Sequence, residues 1–108
     1  MIVHVILFRP QPDLPPDARQ TVLDGLSAAA VDIPTIRRLR VGRRILHGRP
    51  GYEQAMSENF EYAVTVEFDD VEGLTAYLAH PAHAALGSTF KQSSAAALAY
   101  DYEMIDLK

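Results

Sequence analysis

The chain has 108 residues, 48% of them hydrophobic and 22% charged. That describes one globular domain over 1–108 and excludes two. A formal charge of −4 disfavours general nucleic-acid binding. The lack of cysteine excludes a disulfide scaffold, a thiolate metal site and a Cys nucleophile. No apolar run approaches the roughly 18 residues of a membrane helix, so no membrane partner is expected. Met1 to Arg9 has neither a basic n-region nor a small-residue cleavage site. It reads as a strand rather than a signal peptide, with the cytoplasm as the default compartment.

The first strand covers His4 to Phe8. It is apolar on both faces, with His4, Ile2, Ile6 and Phe8 on one side and Val3, Val5 and Leu7 on the other. A strand of that kind is covered on both sides. A proline-rich connection, Pro10 to Pro16, leads into a helix over Pro15 to Val31, where Ala18, Val22, Leu26 and Ala29 or Ala30 recur at helical spacing. Gly25 within it suggests close packing on the sheet. A second strand, Ile36 to Leu46, puts Leu39, Val41 and Ile45 opposite Arg38, Arg40 and Arg44. Residues 47–59 form a loop that is long for a hairpin.

The third strand, Phe60 to Phe68, alternates cleanly, with Tyr62, Val64, Val66 and Phe68 on one face. Asp69 then caps a helix, with Glu72 as capping-box partner and Val71, Leu74, Tyr77 and Leu78 as the buried stripe. Pro81 stops that helix and starts the next. Along this one, His83, Leu86 or Gly87, and Phe90 share a face. Ala95 to Ile105 is the last strand, with Leu98, Tyr100, Tyr102 and Met104 on one side. This order defines an α+β, ferredoxin-like βαββαβ sandwich with a four-stranded antiparallel sheet. Its helices cover one sheet face only. The simplest cover for the other is a second copy, as an isologous homodimer.

Chemistry concentrates in Tyr77-Leu78-Ala79-His80-Pro81-Ala82-His83. His83 falls in the first turn of an inward helix face, where burial and the helix N-terminus both lower a histidine pKa. It reads either as a neutral general base or as a core histidine bonded to a backbone carbonyl. Tyr77 packs inward and needs a partner for its hydroxyl: His83 across the proline corner, or a ligand oxygen. His4 points into the same space, with Tyr62 and Tyr102 from neighbouring strands. Together they describe an apolar pocket with a few polar handles for a small-molecule ligand. His80 stands at the corner of this binding region and suits a capping role. The proline spoils the His80–His83 spacing for metal. Arg37, Arg38, Arg40, Arg43, Arg44 and Arg49 suit either a phosphate at the rim or pairing with Glu61 and Glu67. No nucleophile triad or phosphate loop is present.

Three segments carry a family resemblance: His4-Val5-Ile6-Leu7-Phe8, Ile33-Pro34, and Phe68-x5-Leu74-x2-Tyr77-x2-His80-Pro81-x-His83. Over nearly its whole length the chain resembles the stress-responsive dimeric α+β-barrel (Dabb) proteins, and the last segment is similar to that of the family's plant polyketide cyclases. The resemblance implies a homodimer joined through its sheets. It also implies His83 as general base, Tyr77 as its catalytic partner and His4 in the pocket. The reaction would be an aldol-type cyclisation of a linear poly-β-keto thioester with no metal or redox cofactor. Tyr62 stands where those cyclases carry a second strand histidine, and the 47–59 loop is longer. An isomerase is a near alternative to the cyclase. A non-catalytic, stress-associated binding or structural homodimer is the alternative from another class.

Overall fold

A computed structural model describes residues 1–108. Its elements are β1 (Ile2–Pro10), α1 (Pro16–Asp32), β2 (Arg38–Arg43), a 3-10 turn (Glu53–Ala55), β3 (Tyr62–Phe68), α2 (Val71–Ala79), α3 (Pro81–Ser93) and β4 (Ser94–Glu103). The four strands form one antiparallel sheet in the order β2-β3-β1-β4. This is the expected ferredoxin-like α+β fold, with the helix pair α2–α3 in place of one second helix.

The clean alternation of β3 becomes its burial. Val64, Val66 and Phe68 are wholly buried, and each such side chain contributes roughly 1.5–3 kcal/mol. They pack against Val22, Leu26 and Ala29 of α1, Leu74 and Tyr77 of α2, and Leu86 and Phe90 of α3. Gly25 serves helix-to-helix contact rather than helix-to-sheet contact. A Cβ there would lie 3.3 Å from Leu86 Cδ2, so glycine lets α1 close on α3.

Several boundaries differ from expectation for identifiable reasons. β2 ends at Arg43 because its partner strand begins opposite, at Tyr62, and Ile45 is left exposed. The 47–59 loop is not structureless. It carries the 3-10 turn and is held by Glu53, whose carboxylate accepts a 2.9 Å hydrogen bond from the Gly48 N–H. That bond holds the Glu53 pKa below the usual carboxylate range. Asp70, not Asp69, caps α2, accepting from Gly73 N–H at 2.8 Å. The third residue after this cap is Gly73, so Glu72 forms no capping box. Asp69 instead accepts from Arg37 Nε at 2.7 Å. The stripe of α2 is narrower than expected: Leu74 and Tyr77 are buried, while Val71 and Leu78 are exposed.

β4 pairs His4 with Asp101 and Val3 with Tyr102. The face carrying Leu98, Tyr100 and Tyr102 is therefore the outer one, shared with Val3, Val5 and Leu7. The helices do not cover it, and all three β4 side chains are exposed.

Candidate active site

Proline chemistry builds the corner that holds the site. Residues six apart on one continuous helix would lie about 120° apart around its axis. Pro81 prevents that arrangement, because His80 adopts an extended backbone (φ −74°, ψ 140°) and the chain turns before α3 begins. His80 Nδ1 accepts from Ala82 N–H at 3.0 Å, capping α3. The turn brings the His83 ring to 4.7 Å from that of Tyr77, centroid to centroid.

The other side of Tyr77 meets β1. The His4 ring lies edge-on to it at 5.3 Å. Tyr77 is thus held between two histidines from distant segments, at 1% exposure, with His4 at 5%. Across the strand pair, His4 Nδ1 donates to the Asp101 carboxylate at 2.5 Å. An ionised carboxylate only accepts, so Nδ1 carries the proton and Nε2 is left unengaged. The hydrogen bonds next to Tyr77 run from His4 to Asp101 and from Ala82 to His80, and neither takes its hydroxyl.

These groups line a cavity of about 380 Å³, with Ile6, Leu86 and Phe90 as apolar wall and His4, Tyr77, His83 and Asp101 as its polar end. That volume suits a small organic ligand. Burial lowers the His83 pKa, and the neighbouring His4 adds to the effect; the Leu78 carbonyl and Asp101 oppose them. His83 is accordingly a neutral imidazole at pH 7. Burial, with Asp101, pushes the Tyr77 phenol up to about 12, so it stays a hydrogen-bond donor. A neutral base beside a committed donor can remove a proton next to a carbonyl and hold the oxygen that becomes negative.

Two residues expected in this pocket lie elsewhere. Tyr102 points from the outer face, because alternation on β4 sends Asp101 inward and Tyr102 outward. Tyr62 is on the inner face, but it pairs with Phe8, four residues along β1 from His4 and roughly 13 Å away. There it stacks on Phe8 at 5.2 Å and accepts from Arg19 Nη1 at 3.3 Å. The cavity beside it is only about 50 Å³, too small for a substrate. His80 is spent on its cap and does not line the larger cavity. Asp101 is the residue sequence reasoning missed. Its signal was the inward register Ala97, Ala99, Asp101, visible once β4 alternates against β1. Two of the six arginines pair as the plainer expectation had it, Arg40 with Glu67 and Arg43 with Glu61, while Arg37 pairs with Asp69 instead.

A ferredoxin-like α+β domain with a polar-ended pocket between helices and sheet is the class that this fold and site define. The chain belongs to the stress responsive A/B barrel domain (Dabb) family, whose model matches residues 2–104. Among solved structures, it is similar to a dimeric ferredoxin-like protein of unknown function from Thermobifida fusca. That protein is 27% identical, with a TM-score of 0.74 over 95% of this chain and 90% of that one. The fold is shared with a hydroxynitrile lyase from Passiflora edulis at 12% identity (TM-score 0.82, 99% and 94% covered). It is also shared with SnoaB, a cofactor-independent oxygenase from Streptomyces nogalater, at 13% identity (TM-score 0.71, 97% and 93% covered). No curated protein sequence matches the chain. No helix is long and apolar enough to cross a membrane.

Proposed function

We propose that this protein is an enzyme of proton transfer on a carbonyl substrate, with aldol-type cyclisation of a polyketide-like compound as its best-specified form. His83 takes a proton from the carbon α to a carbonyl, and the C–H electron pair moves onto the carbonyl oxygen. Tyr77 donates a hydrogen bond to that oxygen. The enolate carbon then attacks a second carbonyl of the same molecule, forming the ring bond, and the new alkoxide recovers the proton from His83. Asp101 fixes the ring of His4 beside Tyr77. The carbon–carbon bond forms with no net oxidation or reduction, so the step calls on no redox group.

One observation carries this reading: Tyr77, 1% exposed and without a hydrogen-bond partner in the chain for its hydroxyl, lines a ligand-sized cavity between two histidines. The test is His83→Ala assayed on a β-polyketo thioester. Turnover is expected to vanish while the protein remains folded; unchanged turnover removes His83 as the base.

The exposed apolar outer face favours an accompanying reading, a homodimer through the sheets. Leu98, Tyr100 and Tyr102 stand exposed on it beside Val3, Val5 and Leu7, and the Thermobifida fusca relative is described as dimeric. The same face would serve a non-catalytic binding or structural homodimer, which the turnover assay separates from an enzyme.

A further inference from the structure

β4 is an edge strand, and its inward side chains above the cavity are Ala97, Ala99 and Asp101. All three are exposed, so the helix layer stops short of this strand. On the opposite lip stands Gly87 of α3, where an added Cβ would meet nothing within 4 Å. Gly87, Ala97 and Ala99 line the same cavity, and none of the three carries a side chain longer than a methyl group. The buried Tyr77 lines the same cavity.

We infer that ligand enters edge-on through this slot between α3 and β4, that Gly87, Ala97 and Ala99 set its width, and that the slot selects flat, largely apolar ketones. The inference rests on reading Tyr77 and His83 as the ligand-facing pair. A flat ring sliding along Ala97 and Ala99 brings an oxygen substituent to Tyr77 while Ile6, Leu86 and Phe90 contact its body. A branched or bulky saturated body is refused by the gap, not by the polar end. Gly87, Ala97 and Ala99 act on which ligand arrives; they are not catalytic.

The probe is 2,4-dihydroxyacetophenone, titrated into the full chain while the ring resonances of His4 and His83 are followed by NMR. Shifts at both rings are expected in the unaltered protein. Ala99→Leu and Gly87→Phe narrow the slot from opposite lips, and each weakens affinity by about tenfold or more. Both sites are exposed, so the variants fold, and the dispersion of the spectrum checks it. Unchanged affinity in both narrowed variants overturns the inference. So does a probe that shifts the Tyr62 end instead of the histidines, or that shifts nothing. Binding that follows this pattern in a protein without turnover sustains the slot and sinks the enzyme reading, so the two failures are distinguishable.

Discussion

Asp101 and His4 meet side by side on adjacent strands, carboxylate to Nδ1 at 2.5 Å, and together they face Tyr77. Asp101→Asn keeps the shape and removes the charge. Because that charge favours the protonated forms of both Tyr77 and His83, its loss lowers both pKa values. Ultraviolet titration of the phenols is expected to show the Tyr77 transition falling below about 12, and NMR titration is expected to show His83 falling further. A purely structural aspartate would move neither.

Tyr77→Phe separates function from stability. The hydroxyl has no partner in the chain to lose, so thermal unfolding shifts by about 1 kcal/mol or less. If the hydroxyl holds the developing oxyanion, kcat falls by roughly 10²–10³. A large loss of stability with activity retained would place the hydroxyl in the fold instead.

The pH dependence follows from His83. Its folded pKa lies below the ordinary histidine value, so the unfolded chain binds more protons in the window just below about 6.5. Stability from this group is complete above that window and declines as pH falls through it. Activity follows the same sense: kcat/KM drops on the acid side, with its midpoint below about 6.5. No alkaline loss from Tyr77 is expected until pH nears 12. A midpoint at or above the ordinary histidine value would contradict the buried environment of His83.

Asp70→Ala is expected to destabilise the protein by about 1 kcal/mol, the usual cost of losing an N-cap. Asp69→Ala costs less, since its pair with Arg37 is exposed. Chemical denaturation of the two variants reads the difference directly.

Much of this architecture was legible in the sequence because it rests on local patterns. Alternation through Tyr62–Phe68 gave a strand with its buried face, and Pro81 gave the corner that sets His83 against Tyr77. The apolar outer side of β1 anticipated a face that the helices leave bare. What stayed hidden depends on register between distant strands. The tyrosines of β4 look like core residues, yet they belong to the outer face, and the inward face is the small-residue one that ends in Asp101. Tyr62 was on the right face and at the wrong end of it, a displacement along the strand that pattern cannot measure. At the start of α2 two adjacent aspartates offered two caps, and only backbone geometry distinguishes them.

The central claim is that His83 removes a proton α to a carbonyl, and deuterium exchange reads that step without knowledge of the natural substrate. In D₂O at neutral pH, the protein is expected to accelerate deuterium entry into the acetyl methyl group of 2,4-dihydroxyacetophenone, and His83→Ala is expected to return the rate to that of buffer. Equal acceleration by the unaltered protein and by His83→Ala, or no acceleration by either, would contradict it.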